Sequence, residues 1–272
     1  MNRFHVFVFF CALGVIPARA EEGAVLQPHR AVYDLSLAAG KGRNTLSSAT
    51  GKISYEFTGS RCEGYSTKIR FLTALQSQGG MSQLSDMTSA TFETGDGKEL
   101  RFVTSEKSNG NLTNAANGIA RMQADGKTSV TITKPGKDSF TLSAGILFPA
   151  QHSLKLLNTA KSGDNVFRAD MYDGSAGGKK VYATTGIIGK NVRDEIPATS
   201  PAASLAKMPR YRISLSFFDA SPNQAGEQAA LYDNFSLMFD NGITYSWRLN
   251  YPDFSFDAKL VSLEVLPISV CK

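Results

Sequence analysis

Alternation of apolar and polar residues with a period of two is the feature that most limits how this chain folds. Successive side chains of a β-strand point to opposite faces of a sheet, so this pattern predicts strands with one buried and one wet face. Residues 210–217 show it clearly, with one face formed by Tyr211, Ile213, Leu215 and Phe217. Similar runs recur from Ala31 to the C-terminus, separated by turn signals such as Asn109-Gly110. We therefore predict a single large antiparallel all-β domain.

The run around Asp240-Asn241-Gly242 predicts a hairpin of defined register. A three-residue loop, residues 240–242, pairs Phe239 with Ile243 and Leu237 with Tyr245 and keeps both apolar sets on one face. The same loop puts Gly242 at the left-handed position of a G1 bulge. A two-residue turn would pair Asp240 with Ile243 and separate the apolar sets.

Two further segments depart from simple alternation. Along the last strand, at about residues 254–270, the apolar residues change phase, which predicts a bulge or a strand covered on both faces. Residues 148–160 have Pro149 where a first helical turn tolerates it and Gly163 soon after the end. We expect one short helix there, packed on the sheet or within its opening.

The stretch 191–209 contains Pro197, Pro201 and Pro209 among Ala and Ser, with little apolar periodicity. This composition predicts a surface loop. The loop is either a plain connector or a segment that forms a lid or docks a partner.

The N-terminus has the features of an export signal. Arg3 precedes a mostly apolar stretch, and Ala18-Arg19-Ala20 has the small-x-small form of a cleavage site. We predict a signal peptide over residues 1–20, cleaved after Ala20, and a periplasmic domain over 21–272 without a transmembrane segment. The formal net charge of +5 is mild and well distributed, which argues against nucleic-acid binding.

Removal of that signal leaves two cysteines, Cys62 and Cys271. In an oxidising compartment an even pair predicts a disulfide. A metal site or a reactive thiol is the alternative, and the wide separation without CxxC spacing fits neither well.

A search for catalytic or metal-binding patterns yields little. His29 and His152 lack metal-ligand spacing to a partner, and Ser204-Leu205-Ala206-Lys207 matches an SxxK motif but lies in the Pro-rich stretch. We predict no catalytic residues, no metal and no cofactor, with an envelope hydrolase as the least favoured alternative.

Aromatic residues crowd the last third of the chain. They are interpreted mainly as core. Alternatively, several of them form the wall of a cavity that binds a lipid or another apolar ligand. The candidate wall comprises Tyr211, Phe217, Phe235, Phe239, Tyr245, Trp247 and Tyr251.

Several of these segments resemble one known family. The opening strand has PHRAVYDL at 28–35, and YDGS at 172–175 follows the predicted helix. RYRISLSFFD at 210–219, FDNG at 239–242 and YPDFS at 251–255 precede the C-terminal cysteine. Together they resemble the EipB-like cell-envelope integrity family of Gram-negative bacteria, over essentially the whole chain after the signal.

The resemblance implies a periplasmic, spiral and incompletely closed β-barrel. It also implies a disulfide between an early strand and the last one, matched here by Cys62 and Cys271. The family's role is to maintain envelope integrity under stress, with no established enzymatic activity. We accordingly expect a non-enzymatic protein that binds an envelope protein, an apolar ligand, or both. The alternative is a lipid or lipoprotein carrier or sensor.

Overall fold

A computed structural model describes residues 23–38, 46–192, 194–220 and 228–271. Within these ranges the chain forms one sheet of fourteen antiparallel strands. The strands are β1 His29–Leu37, β2 Leu46–Ser60, β3 Gly64–Ser77, β4 Ser82–Glu93, β5 Glu99–Ser108, β6 Asn111–Met122, β7 Thr128–Lys134, β8 Asp138–Leu142, β9 Val166–Met171, β10 Tyr182–Val192, β11 Arg210–Asp219, β12 Tyr232–Phe239, β13 Thr244–Asn250 and β14 Ser255–Val265. Two short 3₁₀ turns occupy Ala176–Gly178 and Ala203–Leu205.

The sheet is open, because its two end strands do not pair with each other. The strands follow the order β8-β7-β6-β5-β4-β3-β2-β1-β14-β13-β12-β11-β10-β9. The first and last strands, β1 and β14, are therefore neighbours in the middle of the sheet, and the helical crossover joins its two edges. The prediction of an open, all-β fold is confirmed.

Helix α1, Pro149–Lys161, is the α-helix of the described ranges and lies close to the predicted span. It packs its apolar side against the inner face of the sheet, where Leu156 and Ala160 join Phe167 of β9 in one cluster. Leu157 lies in a second cluster with Phe57 of β2. The helix and the large inward side chains occupy much of the space that the curved sheet encloses.

The segment that follows β9 covers the inner face of the opposite edge of the sheet. Tyr172 and Phe102 of β5 make an edge-on ring contact with centroids 5.8 Å apart, and both are fully buried. Gly174 has a positive φ of 75°, and a Cβ there would come 2.2 Å from Phe102 Cγ. Lys179 also pairs with Asp138 of β8 at 2.7 Å. The two edges of the sheet are thus joined by side chains, an ion pair and one isolated parallel bridge between Leu147 and Met171, rather than by a continuous strand ladder.

The predicted hairpin register is correct at the turn and wrong one step further on. Phe239 N donates to Ile243 O at 2.8 Å, and Gly242 has φ +87°. Leu237, however, pairs with Ser246 rather than Tyr245, because the register shifts between Leu237 and Met238. This second bulge leaves Tyr245 without a direct cross-strand partner.

The phase change in the last strand is a bulge. Ser262 pairs with Val32 and Leu260 pairs with Tyr33, so Val261 is the extra residue. The predicted bulge is therefore confirmed, although β14 ends at Val265.

Among the described residues, no helix has the length and hydropathy needed to cross a bilayer.

Candidate functional site

A groove of about 1090 Å³ lies on the outside of the sheet, over β10 to β14. Its floor includes one cross-strand row, in which each residue pairs with the next: Ile187, Ser214, Phe235, Arg248 and Asp257. These positions alternate with the buried ones, so they face away from the core. We call this feature the outer groove.

Three apolar side chains of the outer groove are exposed to solvent. Ile187 is 56% exposed, Phe235 42% and Val261 39%. Single exposed apolar residues need no explanation, but three that line one concave surface, with Ser214 between Ile187 and Phe235, are typical of an interaction site. The floor is therefore suited to contact an apolar surface.

The wall at one end of the outer groove comes from residues 197–201, with Pro197, Thr199, Ser200 and Pro201 lining it. This connection is not a simple exposed loop, because Ile196, Ala202 and Leu205 are buried in the main core cluster. The connection also covers Arg210 and Phe239. These two residues pair across β11 and β12 at positions that face outward along their strands, yet both are buried. Arg210 Nη1 donates to Ala206 O at 3.4 Å. The wall is thus anchored by buried side chains.

Charged side chains around the outer groove are largely paired with one another. Arg248 donates two hydrogen bonds to the Asp257 carboxylate, at 2.7 and 2.9 Å. Because Arg248 is only slightly buried, these bonds raise its pKa. Arg212 pairs with Asp194 at 2.7 Å. Lys259 lines the groove without an ion-pair partner among the described residues. The rim therefore carries both signs of charge.

The seven aromatic residues of the candidate wall do not line one cavity. Phe217 and Phe239 are buried, and Tyr211 packs with Phe217 in the cluster beside the helix. Trp247 stacks on Tyr33 with centroids 4.9 Å apart, and Tyr251 lies against Phe254 at 5.1 Å. The members that border the outer groove are Phe235, Tyr245 and Trp247.

Sequence reasoning missed the most strongly perturbed carboxylate. Glu93, at the end of β4, is 2% exposed and accepts hydrogen bonds from Ala150 N at 2.7 Å and Gln151 N at 3.0 Å. Burial raises the pKa of Glu93 to about 7, although the helix N–H donors oppose the rise. Glu93 comes shortly before a Gly-Asp-Gly turn, a position that predicts exposure to solvent. The local sequence therefore gives no indication that Glu93 is buried.

His29 and His152 lie apart and have different partners. His152 Nε2 lies 2.9 Å from Thr184 Oγ1, and burial lowers the pKa of His152 to about 4. His29 Nδ1 lies 2.7 Å from Gln27 O. Ser204 and Lys207 of the SxxK motif are both exposed. Within the described ranges, no three His, Cys, Asp or Glu side chains come close enough to hold a metal ion.

Cys62 and Cys271 are bonded in the structure, with their Cα atoms 5.6 Å apart. Cys62 lies in the turn between β2 and β3, and Cys271 follows β14. The link joins the two segments on either side of β1 in the sheet. The predicted signal peptide, residues 1–20, lies outside the described residues.

The fold and the groove define an open, β-barrel-like protein with a concave surface on the outside of its sheet. The chain belongs to the EipB-like family, whose profile matches residues 20–267.

A curated relative and a solved structure, both from Brucella abortus, are similar to this chain. The chain is 34% identical over 249 residues to the cell envelope integrity protein EipB of strain 2308, covering 91% of this chain and 87% of that protein. It is also similar to the crystal structure of a β-barrel-like protein of a domain of unknown function. That similarity has a TM-score of 0.83 and 31% identity, and covers 90% of this chain and all of the other.

Proposed function

We propose that this protein supports cell-envelope integrity from the periplasm, as a single domain after signal cleavage, by binding an envelope protein at the outer groove. The name of its relative in Brucella abortus supports the envelope role. The observation that carries the binding role is the exposed apolar set of Ile187, Phe235 and Val261 on the groove floor.

A protein partner fits the outer groove better than a free lipid does. Protein interfaces combine an apolar centre with a polar rim, as the groove does with its Arg212–Asp194 and Arg248–Asp257 pairs. Small-molecule sites usually enclose most of the ligand. The outer groove lies open on the sheet surface, and the interior is occupied by helix α1 and large side chains such as Phe102.

The role of the protein is binding rather than catalysis. The two arginines that line the groove are engaged in ion pairs, which hold their guanidinium groups in place. The perturbed groups Glu93 and His152 are engaged by the helix N-terminus and by Thr184, respectively. These groups therefore serve the fold, and the exposed apolar floor is left for recognition.

Replacement of Phe235 by Asp tests the proposal in cells that lack the chromosomal copy. Phe235→Asp places a charge on the groove floor, so we expect wild type but not this variant to restore resistance to detergent. The matched control is Val103→Asp, because Val103 is 53% exposed on β5 outside the groove.

Both variants should reach the same periplasmic level and melt within a few degrees of wild type, since exposed substitutions usually cost little. Full restoration by Phe235→Asp, or equal failure by Val103→Asp, would overturn the role of the groove. If phospholipid co-purifies with wild type but not with Phe235→Asp, the occupant is a lipid and the protein-partner proposal is wrong.

A further inference from the structure

A smaller cavity, partly open to solvent, lies where the first turn of helix α1 meets the inner face of β1, β2 and β3. Its volume is about 130 Å³, and the tip of the β12–β13 hairpin borders it. It is lined by Leu26, Gln27, His29, Tyr55, Phe57, Thr67, Ile69, Pro149, Ala150, Ser153, Asn241 and Gly242. We call it the inner cavity. It is separate from the outer groove, with which it shares no lining residue.

His29 gives the inner cavity a hydrogen-bond acceptor. The side chain is 4% exposed, and its Nδ1 lies 2.7 Å from Gln27 O. A carbonyl oxygen only accepts, so Nδ1 carries the hydrogen. Burial lowers the pKa of His29, which keeps the ring neutral at neutral pH. In this tautomer Nε2 bears a lone pair.

The lone pair on His29 Nε2 has no hydrogen-bond partner in the part of the chain that the structure describes. A ligand in the inner cavity that supplies a hydrogen-bond donor would satisfy this lone pair. His29 lines the inner cavity, so its Nε2 is placed to accept a hydrogen bond from a ligand there.

Aromatic rings form one side of the inner cavity. The ring centroids of His29 and Tyr55 are 5.2 Å apart, and those of His29 and Phe57 are 6.2 Å apart. None of the lining residues is Asp, Glu, Lys or Arg. A charged ligand would lose hydration without gaining a partner, so the inner cavity selects a neutral group.

The volume limits the size of that group. An apolar cavity of about 150 Å³ holds a benzene ring. The inner cavity is slightly smaller, so it suits one six-membered ring.

We propose that the inner cavity binds a neutral six-membered ring carrying one hydrogen-bond donor, such as a phenol, whose hydroxyl donates to His29 Nε2. Such a group occurs as a free small molecule and as the tyrosine side chain of a protein. The site is independent of the proposed role of the outer groove.

Titrations of the isotope-labelled protein by nuclear magnetic resonance test this site with phenol and with anisole, which has a similar ring but no donor. At about 10 mM, phenol should shift the signals of His29, Tyr55 and Ile69. Anisole should bind about tenfold more weakly, the factor expected for one hydrogen bond. Equal binding of phenol and anisole would overturn the role of Nε2. The absence of any shift with phenol would overturn the site.

Two variants provide the matched comparison. His29→Phe removes the acceptor and should weaken phenol binding about tenfold, whereas His152→Gln, at an equally buried histidine outside the cavity, should leave it unchanged. Unchanged binding by His29→Phe contradicts the proposal. If His29→Phe does not fold, the comparison of phenol with anisole on wild type still decides whether Nε2 binds the ligand.

Binding of N-acetyltyrosinamide as well as phenol would indicate a tyrosine side chain as the source of the ligand. Binding of phenol alone would indicate a free small molecule.

Discussion

Glu93 Oε2 lies 2.7 Å from the backbone nitrogen of Ala150, across a sequence separation of 57 residues. The residue before the helix, Phe148, offers no side-chain cap. A carboxylate from strand β4 therefore satisfies N–H groups at the N-terminus of α1 and holds the helix inside the sheet.

Loss of this carboxylate should destabilise the fold. Glu93→Ala leaves the N–H groups of Ala150 and Gln151 buried without acceptors, which should lower the free energy of unfolding by about 2–4 kcal/mol. Urea unfolding followed by circular dichroism measures the change. Glu106→Ala, at an exposed glutamate on β5, should stay within about 0.5 kcal/mol of wild type. Equal effects of the two substitutions would refute the capping role.

The same carboxylate should make stability depend on pH. The folded-state pKa of Glu93 is raised from 4.5 to about 7, so the folded protein holds a proton that the unfolded chain releases between those values. Its contribution is fully present below pH 4.5 and is lost as the pH rises through 7. The melting temperature of wild type minus that of Glu93→Gln should therefore fall between pH 5 and 8. A flat or rising difference contradicts this.

His152 should show the opposite dependence. Its folded-state pKa is lowered from 6.5 to about 4, so its contribution is present above pH 6.5 and is lost as the pH falls through 4. The melting temperature of wild type minus that of His152→Gln should rise with pH across this window. A difference independent of pH would show that His152 is not buried in its neutral form.

The contact between Gly174 and Phe102 should be intolerant of a methyl group. Gly174→Ala adds a Cβ within 2.2 Å of the Phe102 ring, which should cost several kcal/mol through overpacking and strain. Gly110→Ala is the control, since Gly110 also has a positive φ, +83°, but nothing lies within 4 Å of its Cβ position. The melting temperature should fall much further for Gly174→Ala than for Gly110→Ala. Equal falls would refute the role of this contact in joining the two edges of the sheet.

The bond between Cys62 and Cys271 should stabilise the fold against heat. Its loop spans 209 residues, for which the chain-entropy argument gives up to about 5 kcal/mol. Cys271→Ser should lower the melting temperature without abolishing the fold, because the core is large. Reductant should lower the melting temperature of wild type toward that of the variant and leave the variant unchanged. Identical melting of both proteins under oxidising conditions would contradict a structural role.

The local sequence pattern was sufficient to predict several strands and the helix, but it was insufficient to predict the contacts that they make. The alternation over residues 210–217 predicted β11, and Pro149 with Gly163 predicted helix α1. The Asp240-Asn241-Gly242 turn was predicted correctly, but the bulge at Tyr245 was not, because its register depends on the neighbouring strand. The alternation over residues 210–217 predicts that Arg210 faces solvent, yet the connection over residues 194–208 buries it.

The sequence by itself determined which face of each strand is apolar, where the chain turns and that two distant cysteines are available to pair. These properties follow from side-chain periodicity and local dihedral preferences, which act over a few residues. Only the tertiary structure decided that Glu93 meets the helix, that Gly174 meets Phe102, and that His29 opens onto a cavity. Those contacts depend on how the twist of fourteen strands accumulates into a spiral, and no short segment encodes that sum.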